Sequence, residues 1–146
     1  LAKSPLKIAG SGPAFSALKK IAKGNIEFLA EVKEDNLIQL YENCKALILP
    51  QEEDFGITAI EAQAAGIPVI AYKAGGAQET VISGKTGIFF EEQTPESLLK
   101  AIKRLSQLKI DPSNCINNAK RFSKGNFQKS LKQFVELTWQ NYQKTI

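Results

Sequence analysis

Residues 46–72 read ALILPQEEDFGITAIEAQAAGIPVIAY. The first five are an unbroken apolar run closed by proline, the pattern of a strand covered on both faces rather than wet on one. From about residue 57 to 65, small and apolar residues recur at helical spacing, and Gly66 follows as a left-handed helix terminator. Pro68 then opens a second apolar run, PVIAY, as proline can at the first residue of a strand. Strand, helix and strand in succession predict a parallel sheet.

The alternation extends both ways. Upstream, LKIAG (6–10) and IEFLA (26–30) are expected as strands, with helices over residues 14–22 and 34–43. Downstream, GGAQETVI supplies a turn and a short helix, and GKTGIFF a turn into the last strand. After Pro95 the chain turns wholly helical, over residues 95–109, 112–122 and about 127–144. The first of these carries Leu98, Leu99, Ile102, Leu105 and Leu108 in one stripe, with Lys100, Lys103 and Arg104 outside it, and is expected to pack on the sheet. Residues 1–146 are thus expected to form a single doubly wound α/β domain, whose ligands lie beyond the carboxyl ends of the strands.

Composition narrows the chemistry. A chain of 146 residues with 43% hydrophobic content makes one domain with a core. The formal charge of +4 comes from lysines spread along the chain, not blocked together with aromatic partners, which argues against nucleic acid. A basic surface equally suits a phosphorylated small molecule or an anionic membrane face. No run reaches the roughly 18 apolar residues of a membrane span, and the opening LAKSPLKIAG lacks a charged head followed by an apolar core, so no export is expected. Cys44 and Cys115 lie far apart and the chain has no histidine, so zinc-ligand spacing is absent and both read as core or helix-face thiols in a reducing, cytosolic setting.

The loop between the first strand and helix holds the chemistry. Pro50 ends a buried strand, so residues 51–56 occupy its carboxyl end and Glu53 faces the crevice. Gly56 lets a ligand approach its backbone, and Ile57 and Thr58 fall in the first helical turn, whose free N–H groups bind anions, typically phosphate. Glu61 sits one turn further in, and helical side chains lean back towards the helix start. Two carboxylates beside a phosphate repel it unless they accept hydrogen bonds from hydroxyls on either side. A nucleoside diphosphate sugar, with ribose, diphosphate and hexose in line, has that layout. The plainer alternative is a solvated acidic run (Glu52, Glu53, Asp54) and an exposed helix residue at Glu61.

The block E-D-F-G-I-T-A-I-E-A-Q-A-A-G-I-P-V-I-A resembles the E-x7-E signature of retaining glycosyltransferases of the GT-B fold, family four, the group 1 glycosyl transferases. IAGSGP resembles that family's glycine turn after an early strand, GGAQETV its Gly-Gly-x-x-Glu loop, SGKTGIFF its glycine-rich turn and strand, and RFSKGNF the start of its final helix. The resemblance implies that Glu61 takes the donor ribose hydroxyls and that Gly56, Ile57 and Thr58 hold the diphosphate; Gly12 and Gly10 either keep the first turn open beside it or form a purely structural tight turn. It implies that Glu53, with Phe55 and Gly56, faces the transferred sugar, Glu53 being the carboxylate of the reaction centre that orients the sugar and not a covalent nucleophile. Gly75, Gly76 and Glu79 are left between loop-and-cap residues and a supporting role.

The family implies a donor such as GDP-mannose or a UDP-sugar, no metal or other cofactor, and a glycan or lipid-linked acceptor. The acid-rich EEDFGI form resembles mannosyltransferase members. A cytoplasmic location follows, with peripheral contact at the inner membrane face open. Members have two lobes, and this chain corresponds to the C-terminal, donor-binding one without its first strand and helix. The Arg and Lys that clamp the diphosphate have no counterpart in a matching motif, Lys3 and Lys7 being the nearest. Ala30 replaces a common glycine near the base pocket. The chain is therefore expected to be inactive without an N-terminal lobe. A non-catalytic nucleotide-binding or interaction module is the alternative; a dehydrogenase half would need G-x-G-x-x-G, and GSGPAF lacks the last glycine.

Overall fold

Leu47, Leu49, Val69, Ala71 and Phe89 point to one apolar cluster, and Ile48, Ile70, Tyr72, Ile88 and Phe90 to another. That period of two, apolar on both sides, makes a parallel sheet covered on both faces. In the computed structural model, which describes residues 4–145, the strands are β1 (Leu6–Ala9), β2 (Ile26–Leu29), β3 (Leu47–Leu49), β4 (Val69–Tyr72) and β5 (Gly87–Phe90). Helices α1 (Phe15–Ile21), α2 (Glu34–Asn43), α3 (Ile57–Ala64) and the single turn α4 (Ala77–Thr80) alternate with them. Helices α5 (Pro95–Gln107), α6 (Pro112–Lys120) and α7 (Lys124–Gln143) follow.

Every strand pairing is parallel. The strands nevertheless fall into two sheets, β1 with β2 and β3-β4-β5 in that order, where a single sheet was the simplest expectation. Among the described residues β1 pairs on one side only, and its residues Lys7, Ile8 and Ala9 are exposed. The three-stranded sheet holds the core. Leu37 and Tyr41 of α2 and Ala59 and Ala62 of α3 cover one face, and Leu98, Ala101, Ile102 and Leu105 of α5 the other. Ile88 is fully buried, a gain of about 1.5–3 kcal/mol over leaving it exposed.

The helix ends obey local chemistry. Helix α3 closes with Gly66 at φ 80°, its N–H bonded to Gln63 O at 2.9 Å and that of Ile67 to Ala62 O at 2.9 Å, a Schellman closure. Thr94 and Asp111 cap α5 and α6 through the Ser97 and Ser113 N–H groups, each helix having proline in its first turn. Helix α7 begins at Lys124, a few residues before its expected start, because the Ser123 hydroxyl accepts from Asn126 N–H. It buries none of its residues, and Phe127, Phe134, Leu137 and Trp139 are all exposed. Both cysteines are free, and Cys115 is fully buried. No helix of the described residues is long and apolar enough to cross a membrane.

Candidate functional site

Leu49, buried at the end of β3, delivers the chain into the loop 50–56, which is held from both ends. The Gln93 side-chain amide donates to Pro50 O at 3.0 Å, and that of Gln51 donates to Glu53 Oε1 at 2.7 Å, fixing the half-buried Glu53 carboxylate. Glu53 O accepts the Gly76 N–H at 2.7 Å. A Cβ on Gly76 would fall 2.5 Å from Asp54 O and 2.6 Å from Phe55 C, and one on Gly75 would strike Glu53 O. These two glycines form the floor on which the acidic loop rests, and Gly76 also caps α4. Glu79, in the first turn of α4, is exposed.

Gly56 turns this loop into α3. It adopts φ 79°, ψ 55°, the left-handed region, and a Cβ there would meet nothing closer than 3.7 Å, so conformation rather than space selects glycine. Neither the Ile57 nor the Thr58 N–H finds a partner among the described residues, and both residues are exposed. These groups carry the positive end of the helix dipole, suited to an anion.

On the same helix, the exposed Glu61 accepts a hydrogen bond at Oε2 from the hydroxyl of Tyr41, 3.0 Å away. Tyr41 is 9% exposed. Burial first, then the bond to Glu61 and its charge, push the phenol well above its ordinary range. The backbone of Tyr41 is also held, its O accepting from Cys44 N–H at 3.2 Å.

A buried polar cluster supports α3 from behind. Gln63 donates to Ala59 O and Thr80 O, Asn118 donates to Gln63 Oε1 at 2.7 Å and to Thr80 O at 2.8 Å, and Thr80 Oγ1 donates to Gly76 O at 3.0 Å. Arg121 donates to Asn118 Oδ1 at 2.9 Å and lies over the Phe122 ring, whose neighbour, edge to face at 5.8 Å, is Phe55. The helix carrying Glu61, the Gly75-Gly76 turn and the Phe55 loop are thereby tied through α6.

Glu53, Phe55, Gly56, Ile57, Thr58 and Glu61 thus share one loop and helix, with Gly75 and Gly76 packed beneath. Gly10 (φ 124°) and Gly12 lie after β1 with open space around them, and no hydrogen bond joins them to residues 53–61. Of the two lysines considered for a clamp, Lys7 pairs with its register partner Glu27 at 3.1 Å on the β1–β2 ribbon, and Lys3 is outside the described residues. Ala30, beside the expected base pocket, is exposed. Sequence reading did not single out Tyr41, Gln63, Asn118 or Phe122. The available signal was Gln63 itself, a polar residue within a run of alanines that the packing must bury.

The fold is that of the GT-B glycosyltransferases. The structure of the lipopolysaccharide outer core galactosyltransferase WaaB in its apo form superposes with a TM-score of 0.80 at 19% identity, over 92% of this chain and 41% of that one. The family model described as glycosyl transferases group 1 matches residues 3–122, and the chain belongs to that family. The D-inositol 3-phosphate glycosyltransferase of Corynebacterium urealyticum is 33% identical over 120 residues, 77% of this chain and 27% of that protein. The GDP-mannose-dependent alpha-(1-6)-phosphatidylinositol monomannoside mannosyltransferase of Mycobacterium tuberculosis is 32% identical over 113 residues, 68% of this chain and 29% of that protein. The chain therefore spans less than a third of the length of these two relatives.

Proposed function

We propose that this chain is the donor-binding lobe of a retaining hexosyltransferase that uses a nucleoside diphosphate sugar. The observation that carries the reading is the unpartnered pair of N–H groups at Ile57 and Thr58, one turn from the carboxylate of Glu61. The diphosphate sits at that helix end with the Thr58 hydroxyl beside it, Glu61 takes the ribose hydroxyls, and Glu53 with the Phe55-Gly56 backbone orients the hexose. Gly12 borders the diphosphate from the β1 turn.

In the transfer, the bond from the anomeric carbon to the diphosphate oxygen breaks and one to the acceptor oxygen forms on the same face, the acceptor proton passing to the departing diphosphate. The lobe's share is positioning and stabilisation of the leaving charge, without a metal or another cofactor. GDP-mannose and UDP-sugars are the candidate donors, the former favoured by the GDP-mannose-dependent relative.

The acceptor, a glycan or a lipid-linked sugar, binds a second lobe outside residues 1–146, and the exposed apolar side of α7 supports such a partner. The separation of β1-β2 from β3-β4-β5 and the exposure of β1 support a further strand joining the two sheets. The assembled enzyme works in the cytoplasm, peripheral at the inner membrane face where its acceptor is lipid-linked.

Calorimetric titration of UDP, GDP and ADP, with their sugar conjugates, into the chain and into Glu61→Ala tests the reading. It requires one nucleotide to bind and the variant to weaken it. No binding by any of them, or equal binding by the variant, defeats it.

A further inference from the structure

Tyr41 is an aromatic core residue with an unusual obligation. Its ring packs in the cluster formed by Leu49, Ala59, Ala62 and Val69, where phenylalanine would fill the same space. Its hydroxyl must find a partner at the edge of that core, because an unpaired buried hydroxyl is costly. The partner is Glu61 Oε2 at 3.0 Å, 20 residues away on another helix. An ionised carboxylate only accepts hydrogen bonds, so the phenol is the donor. One oxygen of Glu61 is therefore engaged by a group anchored in the core, while Oε1 has no partner among the described residues and the residue is exposed.

We propose that Tyr41 is a positioning residue for Glu61: it fixes the carboxylate by one oxygen so that the other meets a vicinal diol, the ribose of the bound nucleotide. The inference rests on the donor-site reading above. A free glutamate on a helix surface samples several rotamers, and holding one oxygen removes much of that freedom before the ligand arrives. The rigidity has a visible source. Tyr41 stands in the last turn of α2, whose end is closed by Cys44, with Cys44 N–H and Sγ both donating to Tyr41 O at 3.2 and 3.3 Å. The crossover helix preceding β3 thereby sets the geometry of the helix following it. The phenol stays protonated, and hence a donor, throughout the neutral range.

The test compares UDP, GDP and ADP with their 2′,3′-dideoxy counterparts, titrated into the 146-residue chain, Tyr41→Phe, Glu61→Ala and the double variant. The ratio of ribonucleotide to dideoxynucleotide affinity is a readout that a purely structural tyrosine would not move. Tyr41→Phe is expected to weaken the ribonucleotide by about three- to tenfold, the worth of one hydrogen bond, and to leave the dideoxy form unchanged. In the Glu61→Ala background the same change should add less than about twofold, as for groups acting through one another.

If Tyr41→Phe keeps the wild-type ratio while Glu61→Ala loses it, the positioning role is overturned and the donor site stands. Should the wild type itself bind no nucleotide, or fail to distinguish the two forms, the donor-site reading falls and this inference with it. Tyr41→Phe keeps the ring and its packing in the core, and circular dichroism verifies that the variant folds as the wild type does before the ratios are compared.

Discussion

Replacing Gly76 by alanine adds one methyl group where the acidic loop leaves no room. Gly76 is in ordinary right-handed geometry, φ −62° and ψ −17°, so alanine meets no conformational penalty and only its volume is tested. The added Cβ falls 2.5 Å from Asp54 O and 2.6 Å from Phe55 C. Relaxed contacts lie near 3.5 Å, so the loop or the α4 turn must shift by about 1 Å. That shift breaks the 2.7 Å bond from Gly76 N–H to Glu53 O. Overpacking costs about 1–3 kcal/mol and the lost bond about 1 kcal/mol, together about 2–4 kcal/mol. For a chain of this size the melting temperature should fall by roughly 5–15 °C. Urea unfolding with a parallel thermal melt measures it, and calorimetry should find sugar-nucleotide affinity reduced because Glu53 has moved. Gly12→Ala is the control: a Cβ there has no atom within 4 Å, and stability should change by less than about 0.5 kcal/mol. A Gly76→Ala protein as stable as wild type, with unaltered binding, would refute the claim that these glycines are the floor of the site.

Asn118→Leu removes the donors to Gln63 Oε1 and Thr80 O and strands a fully buried glutamine oxygen, so unfolding free energy should drop by about 2–4 kcal/mol in urea titration. Trp139→Ala, at a residue 58% exposed, should move stability by less than about 0.5 kcal/mol in the same assay, since α7 buries nothing in this chain. Burial and Glu61 raise the Tyr41 phenol above its unfolded value, so its contribution is complete below about pH 10 and lost as pH climbs past it. Tyr41→Phe should flatten that alkaline loss in stability measured against pH.

The three-stranded sheet was legible because its strands are apolar on both faces, and ALILP and PVIAY admit no half-wet reading. The division into two sheets was not, since pairing depends on which edges meet, and nothing in LKIAG tells a strand paired on one side, as β1 is, from one paired on both. Gly66 was readable as the left-handed terminator of α3 and adopts φ 80°, whereas Gly56, read only as room for a ligand, proves to be a second positive-φ position at the other end of the helix. Gly75 and Gly76 look in sequence like a turn; that one supports the backbone of residues 53–55 is a tertiary fact with no local signature. The partnership of Tyr41 with Glu61 was hidden for the same reason, because inward periodicity accounts for the ring and says nothing about where its hydroxyl ends.

The central claim, that the loop after β3 and the start of α3 form the donor site, is tested most directly by nitrogen-15 amide spectra of the chain during titration with GDP and UDP. The account predicts the largest shifts at the Gly56, Ile57 and Thr58 amides, extending to Tyr41 and Glu61. Shifts confined to other surfaces, such as α7 or the Lys73–Glu91 pair, or a spectrum unchanged at millimolar nucleotide, would contradict it.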